Sequence, residues 1–238
     1  MRVLTLDVII SKEIEYRIEC GDYPEGSRLP SERALADEFR VHRDTIRRAM
    51  EILIDKSLIE TKPRSGYYVA PRRIDFNLDA YNSRKAVIEQ MGKSTYVKLL
   101  TFDRMFVTDK IARKTGLKTD SQMFRIMRLR YAGGSPMALE RAHIRCDLAP
   151  NITEEDVHNK SLYAALRRVH SIYINRAESK VSAVYANGLE SELLHLPVSK
   201  PAMRYEGLVY DSRDRLVEYF DDIIRIDKVQ FIRKDVLR

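Results

Sequence analysis

The sequence predicts an α+β protein in two parts, a small helical unit followed by a larger unit of mainly antiparallel strands. Three observations carry this. The 238 residues exceed what one small domain needs and suffice for two. Apolar residues follow a helical period up to about residue 56 and an extended one just after it. Beyond residue 85, strand-like runs alternate with hairpin turns and short helices, which is the grammar of an α+β domain.

In residues 9–19, Ile10, Ile14 and Ile18 recur every fourth position among charged neighbours, and Gly21 ends the helix they predict. Ser31 is placed to cap a second helix that turns Leu35, Ala36 and Phe39 inward. Arg40-Val41-His42 forms the connecting turn, and a third helix follows with Ile46, Ala49, Met50 and Leu53 as its apolar stripe. Residues 57–61 and 66–69 then read as strands around the turn Lys62-Pro63-Arg64-Ser65. Three helices and a hairpin within residues 1–70 make a winged helix-turn-helix.

Residues 71–84 are polar, contain Pro71 and show no clear period, so a linker is expected there. The second part, residues 85–238, opens its legible pattern with a helix over 107–117 that ends at Gly116. Strands over 123–132 and 137–146 flank the turn Gly133-Gly134-Ser135-Pro136. A helix over 162–169 begins after Ser161, a strand covers 177–184, and a short helix over 189–196 stops at Pro197. Strands over 202–210 and 216–226 surround Asp211-Ser212-Arg213-Asp214. The two hairpins are weakly alike, through duplication or through chance.

Composition narrows the function. With 44% hydrophobic and 32% charged residues the chain is globular rather than disordered. It has no apolar run near the ~20 residues a bilayer requires, and its opening stretch is too short for a signal peptide. A cytoplasmic location is expected. Cys20 and Cys146 stand far apart and read as partly buried free thiols. Neither they nor His143, His158, His170 and His195 have metal-ligand spacing, so no metal and no cofactor are expected. An enzyme is disfavoured, since no nucleophile–base pairing and no Gly-rich phosphate loop stands out.

The net charge of +7 suits an acidic partner, and its distribution says more than its total. Arg40, Arg43, Arg47 and Arg48 crowd one stretch, and only Asp44, Glu51, Asp55 and Glu60 oppose the basic residues from there to Arg73. Arg43 and Arg47 are four apart on a helix and project together. An arginine fork reads guanine O6 and N7 at once, worth ~1–3 kcal/mol of discrimination. Thr45 and the helix's first amides suit a phosphate. A plain solvated face is the alternative.

The run from Glu19 to Ala36, with Gly21-Asp22-Tyr23-Pro24-Glu25-Gly26-Ser27-Arg28-Leu29-Pro30-Ser31-Glu32-Arg33 at its centre, resembles the signature of the GntR family of bacterial repressors. So does Val41-His42-Arg43-Asp44-Thr45-Ile46-Arg47-Arg48-Ala49-Met50-Glu51-Ile52-Leu53. The resemblance implies that Arg33, Arg43 and Arg47 contact bases or nearby phosphates. His42 and Thr45 would lie at the helix start against the backbone, and the wing tip from Arg64 to Gly66 would enter the minor groove. His42 departs from the usual Ser or Thr, and Pro63 and Tyr67 depart from the family's usual wing.

The remainder resembles the UTRA domain of the HutC subfamily, whose fold is similar to chorismate lyase. The residues that carry this are Phe124-Arg125-Ile126-Met127-Arg128-Leu129-Arg130-Tyr131-Ala132, Met137-Ala138-Leu139-Glu140-Arg141-Ala142, Ser161-Leu162-Tyr163, Ala177-Glu178-Ser179-Lys180-Val181-Ser182-Ala183 and Leu216-Val217-Glu218-Tyr219. Arg128 and Arg130 leave the same face of a strand, an arrangement that costs stability unless an anion meets it. That anion is a ligand, or Glu140 or Glu218 across the sheet. Ser161 starts a helix whose free amides favour phosphate or carboxylate. By resemblance these positions bind the acid group of an effector, Glu140 and Glu218 bond its hydroxyls or amines, and Tyr163 is a pocket wall. Ile224 departs from the tyrosine found in relatives that sense amino-sugar phosphates. The implied protein is a homodimer that binds double-stranded operator DNA and is released by a small anionic effector such as a sugar phosphate or carboxylate.

Overall fold

The computed structural model describes residues 4–77 and 84–232. The chain divides into two compact units, Met1–Arg73 and Ile74–Arg238.

The first unit has helices α1 (Leu6–Cys20), α2 (Glu32–Phe39) and α3 (Arg43–Asp55), then strands β1 (Ile59–Lys62) and β2 (Gly66–Val69). Gly21 ends α1 in the left-handed conformation, with φ of 89°, a position that favours glycine. Ser31 accepts the Ala34 amide and so caps α2. Ile14, Ile46, Ala49, Met50 and Leu53 have no exposed surface and form the centre of one core with Ile10, Leu35, Ile59 and Val69. Burying each large side chain contributes roughly 1.5–3 kcal/mol. The β1–β2 hairpin is antiparallel, with Lys62 opposite Gly66. The segment before α2 runs along its other side, where Leu29 N donates to Tyr67 O and Val69 N to Ser27 O.

The second unit begins with β3 (Ile74–Asn77) and α4 (Arg84–Gln90), followed by β4 (Thr95–Phe106), α5 (Asp109–Thr115), β5 (Gln122–Ala132) and β6 (Ser135–Arg145). Then come α6 (Glu154–Val157), α7 (Leu162–His170), β7 (Ile174–Tyr185), α8 (Gly188–Leu194), β8 (Pro201–Asp211), β9 (Leu216–Arg225) and β10 (Val229–Ile232). Six strands form one antiparallel sheet in the order β4-β5-β6-β9-β8-β7. That order reads as two β-α-β-β halves, with α5 and α8 in corresponding places, meeting at β6 and β9. The weak likeness of the two hairpins thus has an architectural counterpart. Gly133 and Gly134 make the β5–β6 turn with positive φ.

Two readings of the sequence are corrected. The linker expected over 71–84 is shorter: Ile74–Asn77 form β3, which pairs in parallel with β10, and Ile74 is buried in the core of the second unit. Arg84 is already helical; residues 78–83 lie outside the described residues. Cys20 is exposed rather than partly buried, while Cys146 is buried. The twelve-residue β4 had no expectation at all, because its half-buried run lacks clean alternation.

Candidate functional site

In the first unit, two of the residues expected to meet DNA, Arg43 and Arg47, gather around one carboxylate. Glu32, the first residue of α2, accepts Arg43 and Arg47 from α3, each at 3.3 Å, and the Tyr67 hydroxyl from β2 at 3.0 Å. Burial pushes the Glu32 carboxyl up, but Arg47, Tyr67 and Arg43 outweigh it and hold the group below its ordinary value. Both arginines remain more than half exposed, so their forks stay available to an outside partner. Arg47 also meets Asp44 at 3.4 Å. In the sequence Glu32 has no role of its own, although a glutamate just after a helix cap is a familiar pattern, and Tyr67 is marked only as a departure from the family's usual wing.

His42 does cap α3: its Nδ1 accepts the Asp44 amide at 3.3 Å. The imidazole replaces the usual hydroxyl in that role. Thr45 is half-buried, Arg33 and Arg64 are exposed, and Arg64 sits at the wing turn with φ of 58° beside Gly66. A surface groove lined by Arg28, Arg33, Arg43, Gly66 and Tyr67 joins the start of α2, α3 and the wing. Every DNA-directed residue named from the sequence lies on these three elements or their caps.

In the second unit a cavity of about 150 Å³ opens on one face of the sheet. Five of the six expected effector residues line it: Arg130, Glu140, Ser161, Tyr163 and Glu218. Arg128 lies just behind, buried, with its guanidinium on Glu140 at 2.8 Å and on the Lys160 carbonyl at 3.3 Å. Its Nε is buried without a partner. Arg130 Nε meets Glu140 at 2.5 Å. The two arginines therefore pair internally with Glu140, one of the alternatives the sequence left open.

Arg84 completes the cluster. It reaches from α4 to Glu140 at 2.9 Å and to Asp222 at 2.5 Å. Nothing in the sequence pointed to Arg84. Asp222 was legible, since it shares a strand face with Glu218 four residues earlier. Asp222 also accepts the Arg141 amide at 2.9 Å, in the gap where the β6–β9 ladder breaks between Leu139 and Ala142.

The carboxyls differ sharply in acidity. Burial would raise Glu140, but Arg130, Arg128 and Arg84 hold it well below the usual range. Burial pushes Glu218 up to about 7; the Tyr163 hydroxyl, donating to it at 2.8 Å, only partly offsets that. Burial likewise raises Asp222 despite Arg84. Burial and Glu218 lift Tyr163 well above its ordinary value, so it stays a donor.

Two further features shape the cavity. At one end α7 begins. Ser161 caps the Ala164 amide, and the first backbone bond, Ala165 N to Ser161 O, leaves the Leu162 and Tyr163 amides among the donors a helix start cannot satisfy itself. At the other end Tyr205 packs against Phe220 at 4.8 Å and Phe231 at 5.1 Å, forming an aromatic wall with Phe76. Gly207 permits it, because a Cβ there would meet the Phe220 ring at 2.8 Å.

This architecture has known counterparts. The family profile for bacterial regulatory proteins of the gntR family matches residues 8–69, and that for the UTRA domain matches residues 90–230. The chain is a GntR-family regulator with a UTRA domain. Among its relatives is the mannosyl-D-glycerate transport/metabolism system repressor MngR of Escherichia coli, 26% identical over 93% of this chain and 92% of that one. The HTH-type transcriptional repressor NagR of Bacillus subtilis is 25% identical over 94% and 91% respectively. The crystal structure of PhnF from Mycobacterium smegmatis superposes with a TM-score of 0.70 at 22% identity, covering 96% of this chain and all of that one, and supports the fold. The regulator is thus a transcription factor of GntR/UTRA type and not an enzyme. None of its described helices is long and apolar enough to cross a membrane.

Proposed function

We propose that the regulator is a cytoplasmic, homodimeric repressor that leaves its operator when a small anionic metabolite, such as a sugar phosphate or a carboxylate, fills the cavity of its UTRA domain. Two reader units of a symmetric dimer would engage the half-sites of a near-palindromic operator, and the repressor names of MngR and NagR favour release over activation.

The observation that carries the effector reading is the charge left over in the cavity. Arg84, Arg128 and Arg130 all converge on the single carboxylate of Glu140, while burial pushes Glu218 up to about 7 and raises Asp222, which weakens both as counter-charges. A positive surplus remains, and Lys85, Lys160 and the opening amides of α7 line the same space. An acid group at the α7 end satisfies those donors. The ligand body then lies against Tyr205, Phe220 and Phe231.

A thermal-shift screen of sugar phosphates and organic acids tests this, because a ligand that binds the native state raises its midpoint. The active compound is expected to weaken operator binding in fluorescence anisotropy, and Lys160→Glu, at an exposed position of the cavity lining, to weaken its binding at least tenfold. If no anion in the panel shifted the midpoint, the ion cluster would stand as a structural feature alone.

A further inference from the structure

Aromatic rings crowd the cavity of the second unit. The chain has 13 tyrosines, 7 phenylalanines and no tryptophan. Six of these rings, Phe76, Tyr96, Tyr163, Tyr205, Phe220 and Phe231, border this one space. Between centroids, Tyr205 stands 4.8 Å from Phe220 and 5.1 Å from Phe231, and Phe231 stands 6.4 Å from Phe76. All three pairs are tilted rather than parallel. Rings so arranged offer both faces and edges to a further ring at the spacing where ring pairs attract. The Arg84 guanidinium lies 5.9 Å over the Tyr205 ring, a cation–π contact that holds the ring at the cavity's edge.

The oxygen acceptors of the lining are, by contrast, already engaged. Glu140 takes Arg84, Arg128 and Arg130. Asp222 takes Arg84 and the Arg141 amide, and Glu218 takes the Tyr163 hydroxyl. Ser161 Oγ accepts the Ala164 amide, and Asn159 Oδ1 accepts the Val97 amide. A ligand rich in hydroxyls must break such bonds or bury its own groups unpaired, and either course costs stability. The groups that remain for a ligand include Lys160, the opening amides of α7 and the rings themselves. The volume of about 150 Å³ matches a cavity that takes up one benzene ring.

We infer that the effector is a small aromatic carboxylate, a single ring with its acid group attached directly or one carbon away. The carboxylate accepts from the α7 amides and Lys160. The ring enters among Tyr205, Phe220 and Phe231 in the offset or edge-on arrangement that aromatic quadrupoles favour. A saturated acid of equal size fills the same space without that match. A sugar phosphate brings hydroxyls to a lining whose acceptors are taken.

This inference rests on the anionic effector proposed above, and the tests separate the two. Benzoate, phenylacetate, hexanoate and glucose 6-phosphate are titrated into the full chain by calorimetry. One of the two aromatic acids is expected to bind about tenfold or more tightly than hexanoate and glucose 6-phosphate. Tyr205→Leu keeps an apolar side chain and removes a ring. It is expected to weaken the aromatic acid about tenfold and to leave hexanoate within about twofold. On the unsubstituted protein, saturation of the protein's aromatic protons is expected to transfer to the ring protons of the bound acid in NMR, a readout independent of how the variant folds. Hexanoate or glucose 6-phosphate binding as tightly as the aromatic acids overturns the ring preference and leaves the anionic effector standing. If no anion binds at all, the effector reading itself falls, and the aromatic carboxylate with it.

Discussion

Glu140 stands directly across the β5–β6 ladder from Arg128 and holds its guanidinium at 2.8 Å, with both side chains buried. Arg130 and Arg84 converge on the same carboxylate. Two buried cations and the half-buried Arg84 thus depend on an anion that burial alone would neutralise. This makes the floor of the cavity rigid, and it also concentrates there the largest sensitivity to substitution.

Glu140→Gln is expected to cost ~3–5 kcal/mol in urea unfolding, because it leaves arginines buried without their counter-charge. The packing change is small, so a loss below about 1 kcal/mol would show that these arginines find other partners.

Glu218 gives a pH dependence of defined sign. Its folded-state value of about 7 lies above the ordinary 4.5. The protonated carboxyl therefore contributes its stability in full below that ordinary value and loses it as pH climbs through 7. Comparing the parent with Glu218→Gln isolates this term. The variant's stability relative to the parent is expected to improve between pH 5 and pH 8, by on the order of 1–3 kcal/mol. Parallel stability curves would mean that Glu218 is already ionised at pH 5.

His42 caps α3 through its ring nitrogen. His42→Ala is expected to lower stability by ~0.5–2 kcal/mol, while His42→Ser keeps most of it. Thermal unfolding of the three proteins decides the matter, and equal midpoints for all would remove the capping role.

Arg43→Ala or Arg47→Ala is expected to weaken operator binding by ~1–3 kcal/mol and to relax base choice. Glu32→Gln keeps both arginines but loses the charge that aims them. Its effect is expected on discrimination between operator and scrambled DNA more than on affinity for scrambled DNA. Competition anisotropy at fixed salt reads both quantities, and an unchanged ratio for Glu32→Gln would leave Glu32 with no orienting role.

Local chemistry explains which features were legible in the chain. Gly21, Ser31 and Gly116 announce helix ends through their own conformational preferences, and each terminates or caps a helix as read. Ile46, Ala49, Met50 and Leu53 are fully buried, as their spacing requires. Arg130, Glu140, Ser161, Tyr163 and Glu218 were found because each sits in a short motif with its neighbours, and the fold brings all five to one cavity.

The sequence by itself therefore determined helices α1–α3, α5, α7 and α8, the hairpins and the identity of most charged groups, since each depends on neighbours within a few residues. The tertiary structure alone decided that β3 leaves the linker to pair with β10, that Arg84 crosses to Glu140 and Asp222, and that Glu32 gathers Arg43, Arg47 and Tyr67. Those partners are separated by up to 155 positions along the chain. Local propensity does not reach so far; only closing the fold brings such groups into range, where burial strengthens each charge's hold on the next.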